Sequence, residues 1–462
     1  MKETIHILYT NDLHSYFDHW SRVATFVKSR RDDAKSRGEF HMTVDIGDHM
    51  DRVHPLTEAT LGRANVDLLN ALSYNVATLG NNEGITLAHE GLYHLYDEAD
   101  FHVVCSNLEC VWSDTPSWLE MHHIEDTPSG LRIGFIGLTA RFNPYYHLLG
   151  WNVTEVFQAV ERELEAMRDK ADIFVLLSHV GIYLDEQIAG KFSELDVIIG
   201  GHTHHLLREG EIVGETILTA AGKQCYYAGE VTLVYDHDAQ MVVEKAAQAV
   251  PVEDLPRDLE TEELLEKLNL DARGVLDEVL CTLDTPIETN WFKETPFMRK
   301  FTEQLRLWTD ADIGMLNAGL LVEPFEAGPV TYGDVHRICP HPINPVVVSL
   351  TGEQVMHVVE SALSKELVGL KLRGFGFRGE VVGRLVFANL HVETYFEEDG
   401  VERVEEVLFD GVPLEPKRTY RLATGDMFSF GRLMPEIANA EEKQLFLPEF
   451  IRKILVHTLM DW

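Results

Sequence analysis

The stretch ILYTNDLHSY, residues Ile7 to Tyr16, runs from a β-branched, apolar segment into Asp12 and His14 at the point where that segment stops. A carboxylate and an imidazole two residues apart at a strand end can point at one ion. Alone, such a pair is common. Four later segments repeat the arrangement: MTVDIGD ends in Asp48 after a glycine, NVATLGNNE delivers Asn81 after Gly80, LLSHVG delivers His179, and VIIGGHTHH delivers His202 and His204. Singly, each of these side chains reads as a cap, a turn former or a satisfied core histidine. Together, five strand ends in one half of the chain finishing in ligand-type groups point to a metal centre. Imidazole and carboxylate suit borderline divalent ions such as manganese, zinc or iron, and the absence of cysteine among them argues against a structural zinc site. His94, His102, His147 and His341 are read as structural histidines.

Outward from these segments, short apolar runs alternate with amphipathic ones. Strands are expected near Ile5 to Tyr9, Met42 to Ile46, Arg132 to Gly137, Ile173 to Leu177 and Val197 to Ile199. Val156, Val160, Leu164 and Met167 recur at helical spacing within Val153 to Lys170, with Thr154 near the start. Such alternation predicts an α/β domain with a covered sheet. A chain of 462 residues exceeds one ordinary core. The pattern changes at PVEDLPRDLETEELLEKLNLD, so the expected division is a first domain over 1–250, a linker over 251–270 and a second domain over 271–462. Helices are expected in the second part at Pro296 to Trp308 and Gly352 to Ser364.

Composition narrows the partners. Seventy-six acidic against 39 basic side chains give a formal net charge of −37. Such a field repels polyanions, which argues against nucleic acid and anionic membranes. A phosphorylated small molecule remains admissible if bound cations reverse the field locally. Five cysteines without CxxC spacing read as reduced thiols, and no secretory signal or membrane-length apolar run is seen, so a soluble cytoplasmic protein is expected. Oligomeric state is not legible.

DLH, GD, GN, SH and GHTH, in this order between Thr4 and His204, resemble the calcineurin-like metallophosphoesterases. LNAGLL at Leu316 to Leu321, PVTYGDV at Pro329 to Val335 and the TGE at Thr351 to Glu353 resemble the C-terminal domain of the 5'-nucleotidases. The GNNEGIT segment is similar to the YunD-like intracellular bacterial branch. The resemblance implies a four-layered α/β/β/α catalytic domain followed by a smaller α/β domain that supplies most of the substrate pocket, with catalysis in the cleft between them. It also implies two divalent ions: Asp12, His14 and His204 on the first, Asn81, His179 and His202 on the second, and Asp48 bridging. Two cations about 3.5–4 Å apart acidify a water and clamp phosphoryl oxygens. The implied function is metal-dependent phosphate hydrolysis on nucleotides or related compounds. Alternatives are a metal-binding sensor with little turnover, or a hydrolase of cyclic phosphodiesters, sugar-nucleotide anhydrides or sulfur esters.

Two departures from the resemblance matter. The family's GNHE, followed by Asp two positions later, reads Gly80, Asn81, Asn82, Glu83, Gly84 and Ile85 here, so Asn82 stands at the catalytic histidine position. An amide donates a hydrogen bond but is no acid. His49 and His54, which follow Asp48, are the nearest candidates for a replacement ring. The family's NAGGIR arginine is also absent, since Asn317, Ala318 and Gly319 are followed by Leu320, Leu321 and Val322. Arg373 and Arg378 in KLRGFGFRGE are candidates to restore that charge. Phe375 and Phe377, with Phe428 and Phe430 of TGDMFSFG, are candidates to stack on a nucleobase. Alternate phenylalanines fit a strand core equally well.

Overall fold

The computed structural model describes residues 1–398, 402–431 and 433–462. The chain divides into two compact units, Met1–Ala272 and Arg273–Trp462. Helix Leu259–Leu276 occupies most of the stretch expected as a linker.

Two sheets form the heart of the first unit. One orders its strands Met241–Pro251, Tyr227–Asp236, Lys2–Thr10, Phe40–Asp45, Val76–Ala77, His102–Val104 and Leu119–Glu120. The other orders them Glu211–Val213, Thr216–Thr219, Val197–Gly200, Ile173–His179, Arg132–Thr139 and His122–Asp126. The period-2 rule shows where each face goes. Ile5, Ile7 and Tyr9 meet Ile133, Phe135, Val175 and Val197 in a core between the sheets. Ile136 and Leu138, on the opposite face, pack with Val156, Val160, Leu164 and Met167. Helix Val156–Met167 thus covers the second sheet, and helix Trp20–Arg37 lies against the first. The layering is α/β/β/α.

The sequence reading places the central strands but misses two at the edge. Strands Tyr227–Asp236 and Met241–Pro251 form a long antiparallel pair, and the former also pairs with Lys2–Thr10 from Lys2 opposite Asp236 to Tyr9 opposite Gly229. The helix expected from Val153 is shorter, because Trp151–Val153 is a strand and the helix starts after Glu155 with no side-chain cap.

In the second unit a five-stranded sheet runs Leu385–Ala388, Ile313–Asn317, Thr419–Gly425, Pro345–Thr351 and Lys443–Leu445. Helix Pro296–Trp308 packs on it. It starts where Thr295 accepts a hydrogen bond from the Met298 amide and Pro296 takes the first turn, and it buries Phe297, Met298, Phe301 and Leu305. Helix Gly352–Ala362 begins with a reciprocal capping box between Thr351 and Gln354. No helix among the described residues is long and apolar enough to cross a membrane.

Candidate metal centre

Parallel strands in both sheets of the first unit end on the side from which the expected ligands project. Asp12 follows strand Lys2–Thr10, Asp48 follows Phe40–Asp45, Asn81 follows Val76–Ala77, His179 closes Ile173–His179, and His202 and His204 follow Val197–Gly200. This is where α/β sheets place their ligands.

Loop geometry there is unusual. Asp12, His14, Asp48, His202 and His204 all have φ between 48 and 69°, a left-handed conformation that costs a non-glycine residue free energy. A dense network imposes it. The Asp12 amide donates to Gly47 O at 3.1 Å, the His14 amide to Asp48 O at 2.8 Å and the Ser15 amide to His49 O at 2.9 Å, zipping the two loops together. A Cβ on Gly47 would lie 2.2 Å from the Gly80 nitrogen, and one on Gly80 would lie 2.1 Å from Asp48 Oδ1. The glycines before Asp48 and Asn81 are therefore required by close approach.

The ligand atoms converge. His14 Nε2 lies 3.8 Å from Asp12 Oδ1 and 3.7 Å from Asp48 Oδ2, while His204 Nε2 lies 3.5 Å from Asp12 Oδ1. His179 Nε2 lies 3.4 Å from Asp48 Oδ2 and 3.9 Å from Asp12 Oδ1. These separations are long for hydrogen bonds but suit atoms arranged around an ion about 2.0–2.2 Å away. Two groups of potential ligands result, Asp12 with His14 and His204, and Asp12 with Asp48 and His179. Asp12 thus belongs to both groups, and Asp48 reaches His179 and His14. His202 lies beside them, its ring centroid 5.3 Å from that of His179 and its amide 3.1 Å from each Asp12 oxygen.

Orphaned atoms test whether an ion fits. Asn81 Oδ1 and His179 Nε2 are buried with no hydrogen-bond partner among the described residues. Buried polar atoms are ordinarily paired, and His179 Nε2 lies between Asp48 and Asp12, where a cation would satisfy it. His179 Nδ1 lies 2.8 Å from Ile46 O, which holds one proton at Nδ1 and leaves Nε2 as the nitrogen that would exchange its proton for a metal. Burial pushes the Asp12 and Asp48 carboxyls up, but the neighbouring imidazoles outweigh it and hold both below the usual carboxylate range. Burial conversely lowers His179, yet Asp48 and Asp12 raise it to about 10. The centre is built for positive charge.

Two supporting residues had no assigned role in the sequence reading. Buried Glu83 accepts from the amides of Asp48, Met50 and Gly80 at 2.9–3.0 Å and locks both loops. Its spacing from Gly80, as the third helical residue of a capping box, is the signal that marks it. Asn11 donates to Asp12 Oδ2 and Gly222 O, both at 2.7 Å, and accepts from the Ala221 amide.

Residues 5–206 match the family model for calcineurin-like phosphoesterases, and residues 274–432 match that for the 5'-nucleotidase C-terminal domain. Over 460 residues the chain is 40% identical to the uncharacterized metallophosphoesterase YunD of Bacillus subtilis (strain 168), covering 99% of this chain and 100% of that one. The chain belongs to the calcineurin-like phosphoesterases. Two solved structures share its fold: a putative 5'-nucleotidase from Staphylococcus aureus (TM-score 0.69, 18% identity, 99% of this chain and 96% of that one) and the NAD nucleotidase of Haemophilus influenzae (TM-score 0.68, 15% identity, 100% and 96%).

This phosphoesterase is accordingly a phosphoric ester hydrolase of a family that uses divalent metals. Its Asn82 does not project freely. The Asn82 amide nitrogen of the backbone donates to Asp48 Oδ1 at 2.8 Å, and the side-chain Nδ2 lies 2.9 Å from His14 Nδ1 and 3.1 Å from Met50 O. Neither replacement ring is free to swing. His49 is buried against Trp20 and hydrogen-bonded to Asn65, and burial lowers it to about 3. His54 accepts from the Leu56 amide to cap helix Pro55–Thr60, its ring edge-on to Phe17.

In the second unit of the phosphoesterase the sequence expectations need correction. Phe377 and Phe428 are 1% and 0% exposed, so neither presents a face to a ligand. Phe377 stacks on buried His341, and both phenylalanines belong to the core. Asn317 and Gly319 are buried too: Asn317 Nδ2 donates to Val382 O at 2.7 Å, and a Cβ on Gly319 would meet Val381 O at 2.0 Å. They shape a turn. Arg378 is exposed, its backbone amide donating to His341 Nδ1 and its guanidinium to Phe377 O. Arg373 is exposed in the same loop. The exposed ring is instead that of Phe375, 48% exposed, which stacks on half-buried Phe430 with ring centroids 5.9 Å apart and planes 11° from parallel. Phe375 is held at φ 52° between Gly374 and Gly376, both also at positive φ.

Proposed function

We propose that this phosphoesterase is a two-metal hydrolase of nucleotides or related phosphate compounds, with Asp12, His14, His204, Asn81, His179 and His202 as terminal ligands and Asp48 between the ions. The observation that carries this reading is the convergence of Asp12, Asp48 and three histidine Nε2 atoms, with the buried Asn81 Oδ1 unpartnered on the loop that Gly80 packs against Asp48. Manganese, zinc and iron all suit this donor set. When bound, two such ions supply Lewis acidity for the phosphoryl oxygens and acidify a water.

The chain's own residues set the rest of the reaction. Asp12 and Asp48 stay ionised in a buried site and so hold the centre's charge complementary to cations. Ile46 O and Asn11 orient His179 and Asp12 before any substrate arrives, a preorganisation that avoids rearrangement during reaction. Asn82 brings no acid to the leaving group. This favours leaving groups that depart without a proton, such as a phosphoanhydride or an aryl phosphate, over the alkoxide expelled from a ribose 5'-phosphate. The exposed ring of Phe375, backed by Phe430, is suited to stack on a base. Five unbridged cysteines support a reducing compartment, and we place the protein in the cytoplasm.

The testing experiment is a panel of phosphomonoesters, phosphodiesters and anhydrides turned over with manganese and after chelation. Manganese-dependent release of phosphate from nucleotide substrates is expected. No turnover of any panel member by metal-replete protein would overturn the reading in favour of a metal-bearing sensor.

A further inference from the structure

Away from the Asp12 and Asp48 centre, His102, Glu120, His123 and Glu125 meet where the outer edges of the two sheets come together. His102 and Glu120 belong to neighbouring strands at one edge of the first sheet, and His123 and Glu125 to strand His122–Asp126 at the edge of the second. His102 opens its strand, and Glu125 pairs with Ile133 near the start of strand Arg132–Thr139. The cluster therefore lies on the outer sheet edges, whereas Asp12 and Asp48 follow the central strands Lys2–Thr10 and Phe40–Asp45.

The cluster holds the donor atoms of a ligand set close together. His102 Nδ1 lies 2.7 Å from Glu120 Oε1, and His123 Nδ1 lies 3.3 Å from Glu120 Oε2. One ligand atom from each of the three residues lies within 4.8 Å of the others. The other nitrogen of His123, Nε2, lies 3.2 Å from Glu125 Oε2. With an ion on Glu120, the Glu125 carboxylate would hold the His123 proton at Nε2 and leave Nδ1 as the lone-pair donor, the arrangement that orients metal-binding histidines. The imidazole rings stack at 3.6 Å and 22°, so both Nδ1 atoms face one carboxylate. Solvent reaches the cluster: the His102 side chain is 48% exposed and that of His123 12%. Lone pairs lie in the ring planes, so binding requires the exposed His102 ring to turn out of the stack.

We propose that His102, Glu120 and His123 form a second metal site, selective for zinc-class divalent ions and completed by solvent, with Glu125 as the positioning residue for His123. Two imidazoles and one carboxylate with an open fourth position match the donor number and type that zinc takes from three protein ligands. Because its ligands come from both sheets, the ion ties their edges together. It stabilises the folded chain in proportion to occupancy, since no such set preexists in the unfolded chain.

The test compares the full chain with His102→Gln, His102→Gln/His123→Gln and Glu125→Gln variants. Zinc per chain is counted by elemental analysis after equilibrium dialysis, and the melting temperature is read with and without zinc. Both His102 variants are expected to hold one zinc equivalent fewer than the natural protein and to lose part of the zinc-induced rise in melting temperature, with manganese-dependent phosphatase activity unchanged. Glu125→Gln should keep the equivalent but bind it about 10- to 100-fold more weakly. His102→Gln, at an exposed position, answers the question if the double variant fails to fold. Equal zinc stoichiometry and an equal thermal shift in His102→Gln would overturn the site, and unchanged zinc affinity in Glu125→Gln would overturn the role of Glu125.

Discussion

The side-chain nitrogen of Asn82 lies 2.9 Å from Nδ1 of His14, whose Nε2 faces Asp12, Asp48 and His204. The residue at the position of the family's catalytic histidine is thus tied to a metal-ligand candidate rather than aimed outward. It is held against His14 and Met50 O, and on the proposed reading it offers the leaving group no acid.

Turnover of the natural protein should therefore fall steeply as leaving-group pKa rises across a series of aryl and alkyl phosphates. Asn82→His should flatten that slope and accelerate the poorest leaving groups most, by up to about 10²- to 10⁴-fold, the usual range of general acid help. A shallow slope in the natural protein would show that another group supplies the proton.

A pH effect on stability is expected far from the centre, at buried His6. Its Nδ1 lies 3.0 Å from Glu230 Oε1 and its Nε2 2.8 Å from Glu39 Oε2. The bond to Glu230, against the opposing cost of burial and with help from Glu39, raises His6 above its ordinary 6.5. A raised pKa in the folded state means stability that is fully present below about 6.5 and lost as pH rises through the raised value. His6→Gln should lower the melting temperature most below that pH, and the gap to the natural protein should narrow as pH rises. A gap that widens with pH would contradict this account.

Phe375 and Phe377 should separate cleanly. Phe377→Ala removes a ring that is 1% exposed and stacked on His341, and should cost about 3–5 kcal/mol of stability. Phe375→Ala should leave denaturant unfolding nearly unchanged while raising KM for nucleotides. A Phe375→Ala variant with normal KM would remove that residue from substrate binding.

These two phenylalanines also show where the sequence stops being informative. Alternation at Phe375 and Phe377 fits stacking and core packing alike, and only the loop between Gly374 and Gly376 decides which ring is buried. Ligand-type residues at strand ends were legible because each follows locally from an apolar run and its terminus. The conformations that aim them were not. Positive φ at Asp12, His14, Asp48, His202 and His204 depends on bonds to Gly47, Asp48 and other residues distant in sequence. Asn11 passes for an ordinary turn residue until its backbone partners are known, and the spacing of Glu83 from Gly80 marks a helix cap without showing that it also holds the Asp48 loop. Strand Met241–Pro251 escaped notice because an edge strand buries one face only and carries a weaker apolar signal, and Tyr227–Asp236, paired on both sides, because its alternating polar residues Glu230 and Thr232 interrupt the apolar run.

The central claim is that Asp48 holds two ions together, and metal content tests it most directly. Asp48→Ala and His94→Ala proteins, each confirmed as folded by circular dichroism, are purified beside the natural protein, and tightly bound divalent metal per chain is counted by elemental analysis. Asp48→Ala is expected to lose tight binding at the centre together with activity, because two cations would face each other without a shared carboxylate. His94, an exposed residue paired with Asp97, should be dispensable for both. An Asp48→Ala protein that retains two tightly bound divalent ions at this centre would contradict the account.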